Sequence, residues 1–237
     1  MNQHHLTGYD EGAEFSALFY FDDPDMKKQL DIANWNRREH YAFFSQMDEP
    51  FHGLNLNVDC TWAYQHCKKE QKSFFLFYLH QILRAIMRTD AMRYRIEDDK
   101  VFDYEVIHAN ATVQRADHTF GFCPIYYEEE FTAFATGANI AMDKIKNSSG
   151  LCFNDECARE DVIHFSAIPW ISFTGLTHAR QYDRKDSVPK ISVGKFFKQD
   201  QRLMLPIAIF VHHGLVDAYH VHQFVTALEA ALSGQSN

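Results

Sequence analysis

The sequence predicts an α/β fold: a two-layer sandwich built on a mixed, largely antiparallel sheet with flanking helices. Three observations point there. Short apolar stretches with strand-like alternation recur along the chain, for example "GLNLNVDCTW" and "LMLPIAIFVHH". Helical patterns interrupt them irregularly, unlike the strict alternation of a doubly wound parallel sheet. No glycine-rich phosphate loop opens any helix, which removes the nucleotide-binding α/β folds.

Taken in order, residues 1–30 form an N-terminal extension, broken at Pro24 in "FYFDDPDMKK", and residues 31–237 form a single domain. "NWNRREHYAFFSQM" is helical, with Trp35, Tyr41, Phe44 and Met47 partly on one face. In "GLNLNVDCTW" Leu54, Leu56 and Val58 share one side of a strand. "SFFLFYLHQILRAIM" is so continuously apolar that its helix must be buried on more than one face. "MRYRI", "KVFDYEVI", "ATVQRA" and "HTFGFCPIYY" follow at short spacing and predict an antiparallel meander. "EEEFTAFATGANIAMDKIK" is a helix with acids at its start and lysines at its end, matching the helix dipole. After the polar loop "SSGLCFNDECARED" come three strands, "DVIHFSAIPW", "KISVGKFF" and "LMLPIAIFVHH". In the last helix Val221, Phe224, Val225, Leu228 and Leu232 follow helical spacing, and Gly234 closes it.

Composition narrows the function classes. A net charge of −9 argues against a nucleic-acid partner, whose phosphates need a basic face. No window approaches the roughly eighteen uninterrupted apolar residues of a membrane span. The polar, acidic start "MNQHHLTGYDEGAEF" lacks the basic and apolar regions of a signal peptide, so a cytoplasmic location is expected. The five cysteines are irregularly spaced and read as reduced thiols. Cys152 and Cys157 lack the paired spacing of a zinc ribbon.

The segment "IFVHHGLVDAYHVHQF" concentrates chemistry, with four histidines and an aspartate in sixteen residues. On a strand, His212 and His213 point to opposite faces and cannot jointly hold one metal. A zinc site from His213, Asp217 and a helical histidine would need a geometry that spacing does not provide, so no metal is expected. Asp217 sits at the natural N-cap of the final helix. A histidine at a strand exit, followed by a short turn and a capping acid, is rigidly placed. A neutral imidazole there can act as a general base near pH 7, and equally can be an inert, hydrogen-bonded strand end.

"VHHGLVDAYHVHQF" resembles the His-His-x-x-x-Asp-Gly signature of the chloramphenicol acetyltransferase family, and more distantly that of the dihydrolipoyl acyltransferases. "NWNRREHYAFF", "HFSAIPW" and "PKISVGKF" resemble further segments of that family, in family order, and "HTFGFCPIYY" falls in the matching place. The resemblance covers about residues 33 to 233. It implies a chloramphenicol acetyltransferase-like fold, a homotrimer with active sites between subunits, and acetyl transfer from acetyl-CoA to a hydroxyl of a small-molecule acceptor.

Carried across, His213 is the general base and Ser166 donates to the oxyanion of the tetrahedral intermediate. Asp217 pairs with Arg37 and holds the loop. Ser192 stands for a threonine that helps hold a water. Lys195 lies near the coenzyme 3′-phosphate, Trp170 and Phe196 line the pantetheine and adenine path, and Phe44 takes the place of a pocket tyrosine. The family glycine after the aspartate is Ala218 here, harmless at a helical first position but not where φ must be positive. Pro50 and His52 do not reproduce the family's later pocket aromatic. The acceptor is therefore chloramphenicol or another small hydroxylated molecule. The alternative is a non-catalytic member that keeps the fold and binds CoA or another ligand.

Overall fold

A computed structural model describes residues 26–180 and 186–235. The expected extension over residues 1–30 falls largely outside the described residues. Strand β1 (Lys27–Gln29) pairs antiparallel with β4 (Lys100–Tyr104), which pairs with β3 (Tyr94–Glu97). The main sheet has seven strands in the order β2 (Phe51–Asp59), β10 (Arg202–His212), β8 (Lys190–Gly194), β7 (Val162–Ile168), β5 (His108–Gln114), β6 (Phe120–Ile125), with β9 (Phe197–Gln199) pairing the start of β10. The β5–β7 and β7–β8 pairs are parallel and the others antiparallel, so the sheet is mixed.

The four strand-like segments from "MRYRI" to "HTFGFCPIYY" do not form one meander. They make two hairpins in different sheets, β3–β4 in the small one and β5–β6 at the edge of the large one. The edge of β5 that a meander would give to β4 goes instead to β7, about fifty positions later in the chain.

Helices α2 (Thr61–Lys69), α3 (Phe74–Met87), α5 (Phe131–Lys146) and α6 (Ala218–Leu232) pack together as one layer against the main sheet. Ten of the fourteen residues of α3 are buried, as its continuous apolar run requires. Ser73 caps its start, accepting from Leu76 N. Short helices α1 (Arg38–Phe44) and α4 (Asp90–Arg93) flank this body. Among the described residues, no helix is long and apolar enough to cross a membrane, and no three His, Cys, Asp or Glu side chains form a metal site. All five cysteines are free.

Strand parity sorts the sheet into two faces. Phe165 meets Phe75 and Tyr78 of α3, and its register partner Ile191 is fully buried beside it. Ser166 and Ser192, one position on, therefore point away from the helix layer.

The two sheets are joined by Arg95, which is 0% exposed. Its guanidinium donates to the carbonyls of Glu160 (2.7 Å), Tyr94 (2.8 Å), Val162 (2.8 Å) and Met92 (3.0 Å). Burial lowers its pKa to about 10, which leaves it charged at neutral pH. Arg95→Met is expected to destabilise the protein by roughly 3–5 kcal/mol, because it strands four inward-facing carbonyls. Arg95→Lys should recover only part of this, lacking the planar fork. Thermal unfolding checks it, and a Met variant melting with the wild type would show that the cage does not hold the sheets together.

Candidate active site

The loop that carries His213 is assembled by the end of β10, the start of α6 and α1. His213 immediately follows β10, its N–H donating to Pro50 O at 2.8 Å. Its imidazole lies between two rings: Phe44, the last residue of α1, stacks at 4.0 Å and 14°, and His52 lies at 4.2 Å and 34°. His52 is tethered in turn, with Nε2 3.1 Å from Val216 O. Burial keeps the His52 pKa below the ordinary imidazole value, against the pull of that hydrogen bond. His213 Nδ1 is buried and has no hydrogen-bond partner among the described residues. The rings of Phe44 and His52 therefore pack the His213 imidazole in place.

Arg37 braces the loop from beneath. It is 8% exposed, and its Nη1 lies 2.5 Å from Asp217 Oδ2 while Nη2 donates to His213 O at 3.2 Å. One guanidinium thus ties the residue that carries the base to the residue that caps α6. Asp217 also accepts from Tyr219 N and His220 N, and its own N–H donates to His220 Nδ1, a reciprocal capping box. Ala218 is the first residue of α6 and is not among the positive-φ positions, so alanine in place of glycine strains nothing here.

Burial opposes ionisation of Asp217. The Arg37 hydrogen bond and the charges of His220 and Arg37 outweigh it, and the carboxyl sits at about 2. The folded value is depressed, so this stabilisation is complete above the ordinary carboxylate value near about pH 4. It is lost as pH falls through about 2. Arg37→Ala should lower Tm by roughly 5 °C, about 2 kcal/mol in a chain of this size, and also slow turnover. A Tm unchanged from wild type at pH 7 would show that the pair does not brace the loop.

The other three histidines of the segment have other duties. His212 is buried, its Nδ1 accepts from Gly214 N at 3.1 Å, and burial lowers its pKa to about 4. His220 belongs to the capping box, and His222 is exposed on α6.

Ser166 lies elsewhere. Register runs Ala208–Ser192–Ser166 across β10, β8 and β7 and Thr112–Phe122 across β5 and β6, with Thr112 and Ser166 one position past the last β5–β7 pair, Ala111–Phe165, on the face away from the helices. Ser166 Oγ and Thr112 Oγ1 are 2.8 Å apart, and the buried Ser192 Oγ has no partner among the described residues. Phe122 continues the row into an aromatic cluster with Phe120 and Phe153, which are 46% and 53% exposed.

Trp170, Lys195 and Phe196 gather at the C-terminal ends of β7 and β8. Trp170 and Lys195 are exposed, and Lys195 N donates to Ile171 O at 2.8 Å. Phe196 is half-buried against Tyr64 at 4.9 Å and Phe74 at 6.0 Å. Gly194 permits this closure, since a Cβ there would lie 2.9 Å from Ile171 O.

The anticipated residues thus fall into three groups. Ser166 is level with Ala208, and His213 lies five residues further along β10. That is about 17 Å along the strand and two strand spacings, about 10 Å, across. The His213 imidazole and the Ser166 hydroxyl of one chain cannot meet at one substrate. Sequence reasoning missed Thr112 and the place of His52 against His213. Both depend on pairing between distant segments and leave no local signal.

A family model described as chloramphenicol acetyltransferase matches residues 26–229. Chloramphenicol acetyltransferase from Bacillus pumilus is 26% identical over 204 residues, covering 86% of this chain and 92% of that protein. Chloramphenicol acetyltransferase 3 from Escherichia coli is 25% identical over 202 residues, covering 85% and 94%. A solved chloramphenicol acetyltransferase structure superposes with a TM-score of 0.82 at 31% identity, covering 87% of this chain and 100% of that one. The fold extends to a probable dihydrolipoamide acetyltransferase from Listeria monocytogenes, with a TM-score of 0.62 at 15% identity. With a match running from β1 into α6 and the same architecture throughout, the chain belongs to the chloramphenicol acetyltransferase family and is an acyltransferase.

Proposed function

We propose that the protein transfers an acetyl group from acetyl-CoA to a hydroxyl of chloramphenicol or a related small molecule. It would do so as a cytoplasmic homotrimer with active sites between subunits, and would confer resistance where the acceptor is the antibiotic. The observation that carries this reading is the separation of His213 from Ser166. Each lies in a prepared setting, and only a second copy of the chain can bring the two settings together.

In this mechanism the acceptor hydroxyl meets His213 through Nε2, because Nδ1 is sealed in the loop. His213 takes the hydroxyl proton as the oxygen attacks the thioester carbonyl. The carbonyl oxygen becomes an oxyanion and accepts a hydrogen bond from the partner subunit's Ser166. Collapse of the intermediate breaks the carbon–sulfur bond, and the imidazolium returns the proton to the CoA thiolate. Ser192, buried and unpartnered, suits a water beside the intermediate. The exposed Lys195 and Trp170 suit the coenzyme phosphate and pantetheine, with Phe196 as the wall behind them. The exposed aromatics Phe120 and Phe153 around Phe122, with Phe44 across the interface, favour an aromatic acceptor.

Thiol release from acetyl-CoA, with and without chloramphenicol, tests the proposal. Chloramphenicol-dependent release supports it in full. CoA binding without release on chloramphenicol removes that acceptor, and absence of CoA binding overturns the whole reading.

A further inference from the structure

We infer that Thr112 is a positioning residue for the reaction, orienting and polarising the Ser166 hydroxyl so that its proton is free for the oxyanion. The inference rests on the role proposed for Ser166 and deepens it. A serine hydroxyl carries a single proton, so it stabilises an oxyanion only when that proton is not committed elsewhere. The partner the structure gives Ser166 Oγ is Thr112 Oγ1, at 2.8 Å, and either oxygen can donate.

If Ser166 donates to Thr112, its proton is spent. If Thr112 donates, Ser166 accepts and its own O–H turns outward. Negative charge on the oxyanion selects the second arrangement, a chain from Thr112 through Ser166 to oxygen in which each hydrogen bond strengthens the next.

The surroundings leave this task to Thr112. Ser166 has its register partner Ser192 on one side and Thr112, at hydrogen-bond distance, on the other. Among the described residues Ser192 Oγ has no hydrogen-bond partner, so it does not serve Ser166. Beyond Thr112 the row continues with Phe122, which has no polar side-chain atom to compete. Thr112 is also firmly held. Its neighbours Ala111 and Val113 are buried, 0% and 6% exposed, and a β-branched side chain has little χ1 freedom in a strand.

The test uses the full-length protein with acetyl-CoA and chloramphenicol, and water as acceptor where chloramphenicol is not turned over. Thr112→Val keeps the shape and removes the hydroxyl. It is expected to lower kcat about five- to tenfold, the size of one neutral hydrogen bond, with the acetyl-CoA KM and Tm unchanged. Thr112→Ser should restore most of the rate. In a Ser166→Ala background Thr112→Val should cost nothing further, because the residue through which it acts is gone. Wild-type kcat in Thr112→Val, or an undiminished loss in the Ser166→Ala background, overturns the inference. A Ser166→Ala variant at the wild-type rate, or a wild type inactive on both acceptors, overturns instead the reading on which it rests.

Discussion

Replacing His213 with alanine will lower acetyl transfer by about a thousandfold or more, while CoA affinity stays within a factor of about three. The size follows from the proposed chemistry: a neutral hydroxyl is a poor nucleophile at pH 7, and His213 is the imidazole proposed to take its proton. The selectivity follows from geometry. Lys195 and Trp170 lie at the C-terminal ends of β7 and β8, whereas His213 lies at the far end of the antiparallel β10. Removing the imidazole leaves the Arg37 brace intact, since Arg37 binds the His213 backbone carbonyl and the Asp217 carboxylate. Steady-state turnover and CoA titration of the variant read the two effects separately. Turnover within tenfold of wild type would remove His213 as the base, and a parallel loss of CoA binding would mean that the substitution collapses the loop.

The second large effect concerns Ser166 and the division of the site between copies. Ser166→Ala alone should reduce kcat on the order of a hundredfold, the usual consequence of losing one oxyanion donor. Mixed with the His213→Ala protein by co-expression or reassembly, it should recover activity. Under the proposed arrangement, each site between subunits takes a histidine from one copy and a serine from its neighbour. Random assortment then gives both native residues in about one site in four, so roughly a quarter of wild-type activity returns. Native mass analysis would verify the mixing. Mixed assemblies no more active than their parents would mean that each site is built within one chain, against the separation along β10. Recovery near a quarter could not arise from a site inside a single chain, because neither parent holds an intact one.

Much of this was legible without coordinates, wherever the signal is local. The apolar run of α3 announces a buried helix because a continuous apolar surface has no polar face to offer water. The spacing of Val221, Phe224, Val225, Leu228 and Leu232 marks the inner stripe of α6; all are buried but Val225, which is half-buried at its edge. Leu54, Leu56 and Val58 lie on one face of β2, opposite Ile209, Ile207 and Leu205 of β10. Asp217 as an N-cap needs only the residue type and the following helix, and the capping bonds form within three residues. The family resemblance singled out His213, Ser166, Arg37 and Asp217, and the structure contains the ion pair it implies between the last two.

Non-local pairing is where sequence reasoning stopped. The predicted meander divides into two hairpins because a strand edge can be satisfied by any strand that folding delivers. β5 takes β7, not β4, and alternation is the same in either case. Arg95 looks like an ordinary strand arginine until carbonyls of its own stretch and of the start of β7 close around it. Thr112 is one residue of the strand-like "ATVQRA" until the pairing of β5 with β7 sets it beside Ser166.

The sequence by itself therefore determined the α/β class, the helices α3, α5 and α6, and the strand faces. Those follow from periodicities and caps written within a few consecutive positions. Only the tertiary structure decided which strands pair, that helix α2 follows β2, that His213 is held between Phe44 and His52, and that Thr112 stands beside Ser166. It also decided that His213 and Ser166 lie too far apart within one chain to share a substrate. Each of these is a distance between segments remote in sequence, set by hydrogen-bond register and core packing, which no local pattern encodes.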